Sequence, residues 1–240
     1  MTSIRGGAGK STLAALIAGV IRHQRGDQVI AIDADPGLGS LALRLGVTAS
    51  SSLRHLAASA PRTWEETATH LECTHDGLFV LPAVPRGTVV DELTYEHFQR
   101  GTGPLHRYFS TAVIDCGAGL SAELQRGILA TAHAQVFVTP CTADGVVSAR
   151  AALDWLAVNG YGPLLRRTVI ALVAHTPKPD TDLERASQIL GADGLPVTYV
   201  PFDRRLATGV AINPERLRPP ARTAATRIAV AAFARSLDVP

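Results

Sequence analysis

Lysine is nearly absent from this chain: of 23 basic residues in 240, only Lys10 and Lys178 are lysine and the rest are arginine. Beside the many alanines, that bias reads as the mark of a GC-rich genome, and it makes Lys10 conspicuous. Cysteine is also scarce. Cys73, Cys116 and Cys141 are an odd number with no CxxC pair, which argues against a disulfide framework, a zinc ribbon or an iron–sulfur motif and for a reducing compartment. The eight histidines show no metal-ligand spacing. Long apolar runs are missing too; residues 12–21 form the longest, about half of the roughly 20 residues that a membrane helix needs. The N-terminus lacks the charged, apolar and small-residue succession of a signal peptide. A net charge of +2 and a pI near 8.6 are too mild to announce a nucleic-acid or membrane partner. What is present is 46% hydrophobic and 18% charged residues, the composition of an ordinary globular domain with a sizeable core. A cytoplasmic protein without a membrane span is the expectation.

Short apolar runs at 28–33, 77–82, 111–115, 134–139, 168–174 and 197–200 are apolar on consecutive positions, as strands covered on both faces should be. Between them fall helical patterns at 11–25, 93–100, 122–132, 145–158 and 182–190, with a last one at 220–237. This alternation predicts an α/β fold: a doubly wound, mostly parallel sheet in a three-layer arrangement, occupying residues 1–240 as one domain. Residues 48–76 are the least regular and read as a helical excursion over one edge of the sheet. Only four residues stand before Arg5, enough for a short strand at best. The expectation drawn from this is that the chain is the C-terminal part of a longer protein.

Three segments carry chemistry. In the first, Arg5-Gly6-Gly7-Ala8-Gly9-Lys10-Ser11-Thr12, the glycines let the backbone wrap a phosphate with its N–H groups turned inward, and the helix that follows adds its free N–H groups and dipole. Lys10 can reach the β- and γ-phosphates of a nucleotide, and the Ser11 hydroxyl is placed to ligate Mg²⁺. The second is the apolar strand ending in Asp33 and continuing Ala34-Asp35-Pro36-Gly37-Leu38-Gly39, where one aspartate can support a metal while the other enters a loop beside the γ-phosphate. The third, Ala112-Val113-Ile114-Asp115-Cys116-Gly117-Ala118-Gly119-Leu120, is an apolar strand ending in an aspartate able to hold Mg²⁺ through water. Cys116 reads as a small packed residue, because no histidine adjoins it.

A basic residue before a double glycine, in place of an earlier lone glycine, resembles the deviant Walker A loop, KGGxGK[ST], of the MinD/ParA family of dimerising P-loop ATPases. The family's signature lysine corresponds to Arg5 here, a departure. The resemblance implies that this residue reaches a partner subunit's nucleotide; the alternative is that Arg5 pairs with an acidic neighbour in its own chain, since arginine geometry is not lysine's. The segment from Asp33 is similar to the family's switch I, which implies that Asp35 positions the attacking water and Asp33 lies nearer the magnesium shell. The GAG run after Asp115 resembles switch II. His175 stands where the family usually has an adenine-reading asparagine, and Val200-Pro201-Phe202-Asp203 matches the family's base-lining segment, so His175, Pro201 and Asp203 are the candidate adenine contacts.

The resemblance implies slow, Mg²⁺-dependent ATP hydrolysis and an ATP-dependent homodimer, a switch rather than a metabolic catalyst. The pattern is similar to the MinD-like ATPase domains of actinobacterial type VII (ESX) secretion loci, which makes secretion machinery the expected partner. Chromosome or plasmid partitioning is the alternative, with Arg204, Arg205, Arg216, Arg218, Arg222 and Arg227 as a DNA patch. A non-hydrolysing ATP-binding scaffold is the third. Residues 220–237 read as the domain's own last helix rather than a membrane anchor.

Overall fold

The computed structural model describes residues 1–37, 39–83 and 93–238. Seven strands are present among them: β1 (Val29–Ala34), β2 (Glu72–Cys73), β3 (Phe79–Leu81), β4 (Thr111–Cys116), β5 (Gln135–Pro140), β6 (Thr168–Val173) and β7 (Val197–Val200). They pair as β2-β3-β1-β4 and as β5-β6-β7. Every pairing is parallel except β2 with β3. The two-residue β2 has no counterpart in the sequence reading, because two residues are too few to show a period. The predicted excursion there holds the helices Leu53–Ser59 and Trp64–Ala68.

The two sheets are joined by the first residues of the chain. The Met1 amino group donates to the Ile114 carbonyl (2.6 Å), and the Cys116 N–H donates to the Met1 carbonyl (3.2 Å). On the other side Thr2 makes a parallel bridge to Phe137, with its N–H donating to Val136 (3.0 Å) and its carbonyl accepting from Val138 (2.8 Å). Residues 1–3 therefore act as a central strand between β4 and β5, and the sheet is continuous.

The consecutive apolar residues are explained by cover on both faces. Val29 and Ala31 of β1, Val136 and Val138 of β5, and Val169 and Ala171 of β6 turn to one side. There they pack with the helix Lys10–Gln24 and the last helix, Pro219–Ser236. Ile30 and Ile32 turn the other way, against Leu53, Leu56 and Phe98. Phe137, Ile170 and Leu172 meet Leu153, Leu156 and Leu190 of the helices Ala143–Val158 and Leu183–Leu190. Period-2 alternation thus survives as an alternation between two cores.

At its middle the sheet carries a buried polar ladder. Gln135 Nε2 donates to the Thr2 hydroxyl (2.6 Å), and the Thr168 hydroxyl donates to Gln135 Oε1 (3.0 Å) while also lying 2.9 Å from the Leu164 carbonyl. All three residues are buried. Removing the carboxamide takes the donor from the buried Thr2 hydroxyl and leaves Thr168 only the Leu164 carbonyl, at the joint that places residues 1–3, so Gln135→Ala should lower unfolding free energy by about 1–3 kcal/mol in denaturant titration.

Candidate functional site

The glycine loop owes its shape to two backbone angles. Gly7 has φ 75° and Gly9 φ 98°, values at which a side chain is strained. Gly9 caps the helix Lys10–Gln24 without a side-chain hydrogen bond, and the helix has no acidic residue in its first turn. The first helical bond is made by Leu13 N–H to the Gly9 carbonyl (2.9 Å). The N–H groups of Lys10, Ser11 and Thr12 precede it, so they face outward with the positive end of the dipole uncompensated. Lys10 itself is 8% exposed, a cation held close to the loop by burial of its stem.

Beside this helix end the strands bring two carboxylates together. Asp33 and Asp115 are register partners across β1 and β4, and each is 1% exposed. Asp115 has no hydrogen-bond partner at either oxygen. Burial raises its pKa, while the neighbouring Ser11 hydroxyl, the Met1 amino group and Lys10 pull the other way. Asp33 is raised to about 7, first by burial and then by the charge of Asp115. The two acids differ in what they hold. Asp33 Oδ1 accepts from Asp35 N–H and Oδ2 from Leu41 N–H, both at 3.1 Å. Its carboxylate thus braces the backbone that follows β1.

Residues i and i+2 of a strand share a face, but β1 ends at Ala34, so Asp35 turns out into the loop. There its Oδ1 accepts from Gly37 N–H (2.9 Å), leaving the carboxylate at the mouth of the site. Leu38 of the same motif lies outside the described residues. The two switch loops touch: a Cβ at Gly117 would lie 2.7 Å from Pro36 Cδ and 3.0 Å from Gln125 Nε2.

The remaining candidates fare unequally. Arg5 is paired in its own chain, with its guanidinium donating to Asp144 and, at 3.3 Å, to the Ser148 hydroxyl. This is the second of the two readings its sequence position left open; Asp144 and Ser148 gave no signal of their own, being distant in sequence. His175 is exposed just beyond the end of β6. Asp203 is buried, and both its oxygens accept backbone N–H groups, Oδ1 from Arg205 (2.9 Å) and Oδ2 from Arg218 (2.8 Å). Its side chain caps: it starts the helix Arg204–Ala207 and ties down the approach to the last helix. Cys116 is packed at 2% exposure, with burial raising its thiol.

An open helix end, a buried cation and a carboxylate with free oxygens, gathered at the carboxyl edge of a parallel sheet, are groups able to receive a phosphate and a divalent cation. Comparison with known proteins agrees. The chain is 32% identical over 224 residues to the ESX-1 secretion-associated protein EspI of Mycobacterium tuberculosis, covering 91% of this chain and 34% of EspI. It therefore spans about a third of the length of that relative. Among solved structures, a ParA family ATPase from Chlorobium tepidum superposes with a TM-score of 0.77 at 16% identity, covering 95% of both chains. The septum site-determining protein MinD of Pyrococcus horikoshii, complexed with Mg-ADP, superposes with a TM-score of 0.71 at 18% identity, covering 95% of this chain and 92% of that one. At such identities the likeness is one of fold. No family model matches the sequence. The chain thus has the fold of the MinD and ParA proteins, and by sequence it is homologous to part of EspI.

The residues present fit Mg²⁺. Among the described residues no cluster of three or more His, Cys, Asp or Glu side chains forms a protein-only metal site. Mg²⁺ is commonly held instead by one or two carboxylates, waters and substrate phosphates, and Asp115 offers two unused oxygens for that purpose. Without the cation, its buried charge is opposed only in part, by Ser11, Lys10 and the Met1 amino group, and burial prevails. Asp115→Asn should therefore raise the melting temperature of the nucleotide-free protein, by roughly 2–4 °C per kcal/mol relieved, and abolish the Mg²⁺-dependent part of nucleotide affinity. Thermal unfolding and calorimetric titration with and without Mg²⁺ check the two halves.

Proposed function

We propose that the chain binds ATP with Mg²⁺, hydrolyses it slowly, and uses the bound state to close two copies face to face. The observation that carries this reading is the orphaned Asp115 carboxylate beside an uncapped helix whose loop is held open by Gly7 and Gly9. When bound, Mg²⁺ would neutralise charge developing on the phosphates. The chain's own residues do the rest. Gly6, Gly7, Ala8 and Gly9 present backbone N–H groups, Lys10 supplies the cation, and the N–H groups of Ser11 and Thr12 complete the cradle. Ser11 and Asp115 hold the metal, Asp33 braces the switch I backbone, and Asp35 orients the attacking water from the mouth of the site. His175 and the backbone of residues 201–203 form the base end. Catalysis of this kind is positioning and charge stabilisation.

Homology to EspI supports secretion of the ESX type as the process served. Partitioning remains the second reading, because Arg204, Arg205, Arg216, Arg218, Arg222 and Arg227 are all exposed; tight, salt-sensitive, ATP-dependent binding to random duplex DNA would place it first. A scaffold without hydrolysis is the third.

Two substitutions separate binding from turnover. Lys10→Ala removes a charge-assisted contact worth about 2–3 kcal/mol, so ATP affinity should fall roughly a hundredfold in calorimetry. Asp35→Ala should leave ATP affinity within about threefold while cutting phosphate release at least tenfold, as expected when only a water-orienting group is lost. Near-native ATP affinity in Lys10→Ala would remove the P-loop reading, and normal turnover in Asp35→Ala would favour another water-positioning group.

The ion pair of Arg5 and Asp144 makes a separate forecast. Both side chains are more than half exposed, so the pair contributes little to folding and can be exchanged at small cost for a phosphate oxygen of a partner copy. If that exchange occurs, Asp144→Ala frees Arg5 and strengthens ATP-dependent dimerisation severalfold, whereas Arg5→Ala weakens it without altering monomer affinity for ATP. Sedimentation of both variants with ATP and Mg²⁺ decides; identical dimerisation in all three proteins would confine Arg5 to its own chain.

A further inference from the structure

The helix Leu41–Leu45, which follows Asp35 and its loop, carries a cation that forms no ion pair among the described residues. Nε and Nη1 of Arg44 are enclosed and have no hydrogen-bond partner, and among the described residues no acidic side chain forms an ion pair with it. Enclosed guanidinium donors without acceptors are rare in folded proteins, because each forfeits its hydration. Such a group calls for an acceptor that arrives from outside the chain.

The surroundings indicate which acceptor. Leu41, at the start of the same helix, is bound to Asp33, and Asp115 exerts an attractive pull on the Arg44 charge. Arg44 thus lies one turn along the short helix whose first residue Asp33 holds, with Asp115 the acid that acts on its charge. On its other side is the segment that follows Asp203. Ile212 N–H donates to the Arg44 carbonyl (2.8 Å), and a Cβ at Gly209 would lie 3.6 Å from Nη1. A Cβ at Gly46 would lie 3.3 Å from that of Ala211. Arg44 therefore sits where the switch I helix and the base-side segment touch.

We propose that Arg44 binds the nucleotide, its unpaired N–H groups donating to a phosphate oxygen of a bound nucleoside di- or triphosphate. This assignment rests on the ATP-binding reading above and adds a second protein cation to Lys10. A guanidinium suits the task, since it stays charged and offers several fixed donors to an oxyanion. Because the Arg44 carbonyl anchors Ile212, the same residue links phosphate occupancy to the segment beside the base.

The test uses the whole chain with Arg44→Met, which keeps the bulk of the side chain, and Arg44→Lys, which keeps the charge. Calorimetry gives affinities for Mg·ADP and Mg·ATP, and thermal unfolding gives the stability of the nucleotide-free protein. Arg44→Met should weaken both nucleotides about tenfold or more and raise the nucleotide-free melting temperature, because an unpaired charge is gone. Arg44→Lys should recover part of the affinity. Wild-type affinities in Arg44→Met would overturn the proposal, as would affinity lost together with stability and not recovered by lysine. Should wild type bind neither nucleotide, the ATP reading itself fails and takes this proposal with it. Loss confined to Lys10→Ala, with Arg44→Met unaffected, would sink the Arg44 assignment alone.

Discussion

Residues 1–3 are the constraint on which the site depends. Their hydrogen bonds to β4 and β5 make one sheet out of two, and the Ser3 carbonyl also accepts the Gly119 N–H (2.8 Å) from the loop after β4. The glycine loop begins two residues later. A displacement of this short segment would move the N-terminal end of the helix Lys10–Gln24 away from Asp115. The polar ladder of Thr2, Gln135 and Thr168 therefore serves geometry as well as stability: hydrogen bonds have direction, and they set register where apolar contacts would tolerate sliding.

Charge explains much of what surrounds that helix end. A parallel sheet gathers the carboxyl ends of its strands along one edge, and here two acids arrive side by side with little solvent. One is consumed by backbone N–H groups and the other is left bare. The fold keeps a destabilising arrangement at the place where a divalent cation would relieve it, the pattern expected when a binding site is held ready rather than assembled on demand.

The layered α/β architecture was legible because its strands are buried on both faces and its helices are long enough to show a period. The Walker-type segments were legible because glycine at positive φ and an aspartate at a strand end are local requirements. Element boundaries moved by a residue or two, as at the predicted helix 145–158, which begins at Ala143 behind the Thr142 cap. The partners of side chains were not legible. Arg5 meets Asp144 across 139 positions of sequence, and Asp203, matched to a base-lining motif, instead spends both oxygens on backbone. Nothing local distinguishes an aspartate that binds a ligand from one that caps a turn. Arg44 escaped notice for the same reason, since an arginine in a short helix signals nothing until its surroundings close around it.

The close approach of Gly117 to Pro36 has a mechanical meaning. With no side chain on one loop and a rigid ring on the other, the two surfaces meet like a gear tooth and its notch, and neither can advance without displacing the other. A shift of the loop that holds Asp35 and Pro36 would press on the buried backbone at Gly117, so the two loops share one set of allowed positions. Such a coupling needs no relay of charges. It is transmitted by contact alone, and its fidelity depends on how little empty space lies between the two loops.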